Sequence, residues 1–168
     1  MVGDTITRLI SPHDKSLIPI FSDCGTTTAL VFDPGGPNMD FNISSEGCDH
    51  EAIIVPQGGA REPTTMDSLL YKNIEVNIER KGLHLAMKGL DVFNFSLKKV
   101  SPNVEDLIQK SVLSSSEIDY FVFHQANRLI LESISKKLKI NTSKVPTSLK
   151  DYGNTSGATI PLTIVSNL

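Results

Sequence analysis

Two short motifs in this chain carry side chains that could act on one reaction site. They read His124-Gln125-Ala126-Asn127 and Gly153-Asn154-Thr155-Ser156-Gly157. A neutral imidazole and a carboxamide can both donate a hydrogen bond to a developing oxyanion without adding a full charge of their own. His124 and Asn154 are therefore the candidate catalytic residues, and they suit chemistry on a thioester carbonyl or its enolate.

Each motif follows a stretch that is predicted to form a β-strand. Residues 120–123 precede the first motif and residues 145–149 precede the second. The exits of parallel strands cluster at one edge of a sheet, where active sites form. We therefore expect His124 and Asn154 to converge, with their side chains no more than about 8 Å apart so that both can reach one small ligand.

Further strands are predicted in the first third of the chain, at residues 17–21, 28–32 and 39–44. Three helices are predicted later: one opens at the Ser101-Pro102 pair, one spans about residues 125–139, and one starts or bends near Pro161. The first two carry apolar residues at helical spacing: Val104, Leu107, Ile108, Val112, Ile130, Ile134 and Leu138. Strands that alternate with helices predict an α/β protein with a mixed β-sheet and layered helices.

Composition indicates a single globular domain over residues 1–168. Hydrophobic residues make up 39% of the chain and charged residues 21%, with a net charge of −3. This balance gives no reason to expect nucleic acid as a partner, and no apolar run is long enough to span a membrane. Two cysteines and no recognisable signal peptide indicate a cytoplasmic protein without a disulfide framework.

Four segments together resemble one protein family. They are Phe123-His124-Gln125-Ala126-Asn127, Tyr152-Gly153-Asn154-Thr155-Ser156, Met87-Lys88-Gly89-Leu90-Asp91-Val92-Phe93 and Phe21-Ser22-Asp23-Cys24-Gly25. Taken in chain order, they resemble segments of the C-terminal half of β-ketoacyl-acyl-carrier-protein synthase III, a thiolase-like condensing enzyme. The resemblance covers essentially the whole chain and implies the C-terminal half of a thiolase-like fold.

The resemblance also implies what the intact enzyme does. It would be an acyltransferase of fatty acid biosynthesis that condenses an acyl-CoA primer with malonyl-acyl carrier protein, with loss of CO2. His124 and Asn154 would hold the malonyl thioester oxygen. Met87, Gly89, Phe93 and Asn127 would contact substrate. Coenzyme A thioester and carrier-protein phosphopantetheine are substrates, and neither a cofactor nor a metal is expected.

In the family the nucleophilic cysteine lies in the first half of the protein, which this sequence does not match. The resemblance also implies a glycine-rich C-terminal segment that would follow Leu168. Cys24 occupies a loop position that is usually glycine in the family, and neither it nor Cys48 is expected to be the nucleophile. The resemblance therefore predicts that this chain alone is inactive.

The resemblance also implies carrier-protein docking on the helix after the first motif, through Arg128, Lys136 and Lys137, where an acidic partner would be attracted. The alternative is a solvated helix end in which Glu132 pairs with Lys136.

The apolar segment 160–165 predicts either an exposed apolar patch or a homodimer that covers it.

Three other functions stay open at this point. The chain could belong to a related condensing enzyme of secondary metabolism, because the loop at Cys24 departs from the family norm. It could also be a non-catalytic thiolase-like subunit that pairs with an active partner. A hydrolase with Ser156 as nucleophile is disfavoured, because the second motif lacks the G-x-S-x-G spacing.

Overall fold

The computed structural model describes residues 1–111 and 113–168. Within them, short strands form three separate antiparallel pairs. The first pair is β1 (Val2–Asp4) with β2 (Cys24–Thr26), the second is β3 (Ile53–Ile54) with β6 (Ala86–Met87), and the third is β4 (Lys72–Glu75) with β5 (Ile78–Arg80).

The strands predicted from the sequence are not strands in the structure. This holds for residues 17–21, 28–32, 39–44, 120–123 and 145–149. The two stretches before the motifs show why: the backbone N–H of Phe121 donates to Lys144 O at 2.8 Å, and no ladder develops from this bond among the described residues. A strand exists only where a neighbour supplies a ladder of backbone partners, which apolar patterning alone does not guarantee.

Five α-helices accompany these strands in the described part of the chain. They are α1 (Gly89–Phe95), α2 (Ser101–Lys110), α3 (Arg128–Lys137), α4 (Leu149–Tyr152) and α5 (Thr159–Asn167).

Helix α2 begins at Ser101, where the sequence predicts a helix to open, but no break in the helical backbone precedes this residue. A π-helical segment, Ser96–Val100, joins α1 to α2 without a break, so Ser101 lies inside a longer helical run with φ −60° and ψ −49°. The wider π-helical turn directly before Pro102 gives room to the proline ring, which would clash with the carbonyl one α-turn earlier. Val104, Leu107 and Ile108 are half-buried as their spacing predicts, whereas Val112 lies outside the described residues.

Helix α3 confirms its predicted apolar face, with Ile130 and Ile134 3–4% exposed. It begins at Arg128 rather than near residue 125, because Asn127 is extended and its side-chain oxygen accepts the N–H of Ile130 at 2.9 Å. An asparagine cap of this kind satisfies one of the free N–H groups at a helix start. Helix α3 packs against Ser96–Val100.

Helix α5 starts at Thr159, two residues before Pro161, as predicted. Its buried residues are Thr159 and Thr163, whereas Ile164 is 43% and Val165 84% exposed. The apolar side of this helix therefore faces outward. No helix among the described residues is long and apolar enough to cross a membrane.

Candidate functional site

Gln125 anchors the first motif to the chain that precedes the second. Its side chain is fully buried, and its Nε2 donates to Phe123 O at 2.8 Å. Its Oε1 accepts from Thr147 Oγ1 at 2.9 Å and from Ser148 N–H at 3.1 Å. A buried polar group with its partners satisfied holds its neighbours in one arrangement. Sequence reasoning missed this role, since a buried glutamine has no periodic signature.

The backbone of Asn154 is held against the loop near Phe21. Asn154 N–H donates to Ile20 O at 3.0 Å, and Ser22 N–H donates to Asn154 O at 2.9 Å, which makes a parallel bridge between Phe21 and Asn154. Gly153 precedes it with φ 65° and ψ −158°, a conformation essentially restricted to glycine.

The side chain of Asn154 has a defined orientation and is only 6% exposed. Its Oδ1 accepts the backbone N–H of Ser156 at 2.9 Å, and its Nδ2 donates to Ala126 O at 3.4 Å. A carboxamide nitrogen carries two N–H donors, so one of them remains for a ligand. The amide can therefore act as a hydrogen-bond donor.

His124 is exposed on this chain, and its Nδ1 lies 2.7 Å from Thr159 Oγ1. Neighbouring atoms remove part of the solvation of its imidazole, which lowers the pKa below the usual 6.5, and the Ser156 backbone has a smaller effect that raises the pKa. A lowered pKa favours the neutral ring near neutral pH.

The turn at Ser156 brings the two candidate residues into one neighbourhood. Its N–H binds Asn154 Oδ1, and its carbonyl oxygen accepts from Thr159 Oγ1, which contacts His124. Ser156 itself has φ 54°, the left-handed region in which a serine is uncommon. Two neutral donors beside one turn form an arrangement that can stabilise an oxyanion.

The predicted substrate-contact residues occupy different places. Met87 lies in β6 and packs on the core of Ile10, Leu17 and Leu85. Phe93 is half-buried in α1, and Gly89 opens α1 with free space where a Cβ would stand. The side-chain oxygen of Asn127 is used as the cap of α3, which leaves its NH2 group for a ligand.

The three predicted docking residues differ in the partners that their basic groups bind. Arg128 Nε binds Glu132 Oε1 at 2.6 Å, so the expected pairing of Glu132 with Lys136 is wrong. The arginine lies one turn before Glu132 and competes for the same carboxylate. Lys137 Nζ donates to Leu97 O at 2.6 Å. Lys136 is exposed and makes no ion pair within the described residues.

Both cysteines are free thiols. Cys48 is exposed, and a hydrogen bond to the Glu46 carboxylate, reinforced by that negative charge, raises the pKa of its thiol. A raised pKa reduces the thiolate population that a nucleophile needs.

Ser156 Oγ also makes no hydrogen bond to His124 among the described residues, which leaves the hydrolase alternative without a base.

A cavity of about 670 Å³ lies beside the site, between α3 and residues 142–150. Ala126 and Gly153, the neighbours of the two candidate residues, line it, as do apolar side chains of Ile20 and Leu131. In the described part of the chain, no cluster of three or more His, Cys, Asp or Glu side chains could hold a metal ion.

Comparison with known proteins identifies the fold. A crystal structure of 3-oxoacyl-(acyl-carrier-protein) synthase III superposes with a TM-score of 0.82 at 31% identity, covering 98% of this chain and 49% of that protein. The 3-oxoacyl-(acyl-carrier protein) synthase from Burkholderia xenovorans LB400 gives a TM-score of 0.82 at 33% identity, covering 99% of this chain and 46% of that one. The fold is thiolase-like, as predicted.

Sequence comparison leads to one family. Residues 108–168 match the family described as 3-oxoacyl-[acyl-carrier-protein (ACP)] synthase III C terminal. The β-ketoacyl-[acyl-carrier-protein] synthase III of Acaryochloris marina is 31% identical over 98% of this chain and 48% of its own length. By sequence and fold, the chain matches the C-terminal half of the β-ketoacyl-[acyl-carrier-protein] synthase III family. It spans about half the length of the curated relatives it matches.

Proposed function

We propose that this chain supplies the two oxyanion donors of a condensing enzyme that joins an acyl-CoA primer to malonyl-acyl carrier protein with loss of CO2. The observation that carries the proposal is the orientation of Asn154. Because its Oδ1 is occupied by Ser156 N–H, only the NH2 end of the amide is left for a ligand. The neutral form of His124, favoured by its lowered pKa, provides the second donor.

In this mechanism the two donors bind the malonyl thioester oxygen. As CO2 leaves, the electron pair of the broken C–C bond moves into the enolate, and its negative charge develops on that oxygen. Fixed donors that are already oriented stabilise this charge without reorganising, and each is worth roughly 2.7–4 kcal/mol in the transition state. The enolate carbon then attacks the carbonyl carbon of the primer acyl group, held as a thioester on a cysteine that residues beyond this chain would provide. The C–S bond breaks as the new C–C bond forms, and the cysteine leaves as a thiolate.

The carrier protein is proposed to approach along α3. Of the three basic residues expected to bind it, Lys136 has an exposed ammonium group with no ion pair among the described residues. The charge of Arg128 is offset by Glu132, although that pair is exposed and worth little. We further propose that the protein works in the cytoplasm, because free thiols such as Cys24 and Cys48 persist in that compartment. We also propose that it forms a homodimer.

Reconstitution tests the proposal. The chain is combined with a segment that carries the family nucleophile, and condensation of acetyl-CoA with malonyl-acyl carrier protein is measured. His124→Ala and Asn154→Ala should each lower kcat by roughly 10²–10³-fold. His50→Ala and Asn94→Ala, at exposed positions outside the site, serve as matched controls. Full activity in either site variant would contradict the proposal and favour a non-catalytic subunit.

A further inference from the structure

The hydroxyl group of Thr159 lies between two partners and has one proton to give. Its Oγ1 is 2.7 Å from His124 Nδ1 and 3.0 Å from Ser156 O. The carbonyl oxygen can only accept, whereas Nδ1 accepts or donates according to the tautomer of the ring. The position of this one hydroxyl proton is therefore coupled to the position of the imidazole proton.

Two arrangements satisfy these contacts. If Thr159 donates to Ser156 O, its oxygen must accept from an Nδ1–H group, and neutral His124 is left with a bare Nε2. If Thr159 donates to Nδ1, the imidazole proton lies on Nε2 and that nitrogen is a donor. Only the second arrangement lets the neutral ring donate from Nε2 to a thioester oxygen.

The geometry favours the second arrangement. The 3.0 Å contact with Ser156 O is at the long end for a hydroxyl donor, and the 2.7 Å contact with Nδ1 is at the short end for an N–H donor. Both distances therefore fit a hydroxyl group that donates to Nδ1. The carbonyl oxygen of Ser156 also accepts the backbone N–H of Thr159, so it is not left unsatisfied when the hydroxyl turns away. Thr159 is 1% exposed, which excludes solvent as a competing partner for its hydroxyl group.

We propose that Thr159 is a positioning residue that holds His124 in the Nε2–H tautomer, the form able to donate to the substrate oxygen. Its meaning for catalysis rests on the proposed function, but the tautomer is a property of the chain itself. Thr163 is the matched control: it lies one turn later in α5, is fully buried, and donates to Thr159 O at 2.8 Å without contacting His124.

Long-range proton–nitrogen NMR of the labelled full chain tests the proposal without substrate. In the wild type, His124 should show a protonated Nε2 and a hydrogen-bonded, unprotonated Nδ1, with His124→Gln assigning the signals. Thr159→Val should remove the Nδ1 hydrogen bond and give a mixture of tautomers. Thr159→Ser should restore the wild-type pattern, and Thr163→Val should keep it.

A proton on Nδ1 in the wild type would overturn the proposal, as would an unchanged His124 spectrum in folded Thr159→Val. If Thr159→Val does not fold, the wild-type and Thr159→Ser spectra still decide the question. In the reconstituted enzyme, Thr159→Val should lower kcat more than it changes KM for malonyl-acyl carrier protein, and by less than His124→Ala does. An Nε2–H tautomer without any condensation would contradict the proposed function and leave the role of Thr159 intact.

Discussion

The side-chain oxygen of Asn154 accepts the backbone N–H of Ser156 at 2.9 Å, and this bond orients the amide. An amide held in this way presents its NH2 end to any ligand, with no rotation needed. The backbone N–H and C=O groups of Asn154 are also paired, with Ile20 O and with Ser22 N–H, so the proposed donor is held in place by the chain itself. Such preorganisation is what makes an oxyanion donor effective.

Asn154→Asp tests this donor directly. The carboxylate can still accept from Ser156 N–H, but it has no N–H to give and places a negative charge beside the developing oxyanion. We expect kcat of the reconstituted enzyme to fall by at least roughly 10²–10³-fold. Release of labelled CO2 from malonyl-acyl carrier protein measures the effect, with Asn94→Asp as the exposed control. Retained decarboxylation would show that Asn154 is not a donor.

Gly153→Ala should destabilise the fold. At φ 65° and ψ −158° a Cβ atom is strained, and it would lie 3.2 Å from Ile20 O and 3.3 Å from Ser22 Oγ. We expect a loss of about 1–3 kcal/mol in the free energy of unfolding, measured by urea denaturation. Gly59→Ala is the control, because its Cβ would meet open space. Equal stability of the two variants would contradict the strain argument.

His124 should make the stability of the chain depend on pH. Its pKa is lowered in the folded state by loss of solvation, so the unfolded chain binds more protons once the pH falls to about 6.5. Stability should therefore decrease as the pH falls through that value, and less so in His124→Gln. NMR titration of His124 should give a midpoint below 6.5 in the folded chain and near 6.5 in denaturing urea. A folded-state midpoint above 6.5 would reverse the sign and refute the argument.

The chain alone should not form an acyl-enzyme. Cys48 is held as a thiol by Glu46, and Cys24 lies in the β1–β2 pair, with its Sγ 3.7 Å from Gly25 O. Incubation with labelled acetyl-CoA followed by mass spectrometry should detect no acetyl group on either thiol. Glu46→Gln should speed the reaction of Cys48 with iodoacetamide, because its carboxylate raises the pKa of the thiol. Turnover of an acetyl group through Cys24 would mean that the chain carries its own nucleophile.

The sequence correctly predicts features that depend on residues close together in the chain, such as the buried face of a helix. Ile130 and Ile134 lie on the buried face of α3, as their spacing indicates. The predicted strands failed because a ladder depends on distant partners, which the apolar pattern of residues 120–123 does not reveal. The sequence does not predict the roles of Gln125 and Thr159 for a related reason. Gln125 contacts Thr147 and Thr159 contacts Ser156, and only the folded chain makes these contacts.

The last prediction concerns the outward apolar side of α5. Its threonines are buried while Val165 is 84% exposed, and the loop residues Val31 and Phe32 are 89% and 90% exposed. Such exposed apolar surface favours association, so light scattering at micromolar concentration should give a mass above the 18.3 kDa of one chain. Val165→Lys should weaken the association, because it places a charge in the proposed contact. Val76→Lys is the matched control, since Val76 is 88% exposed in the turn between β4 and β5. A monodisperse monomer in the wild type, or equal effects of the two variants, would show that α5 is not the contact surface.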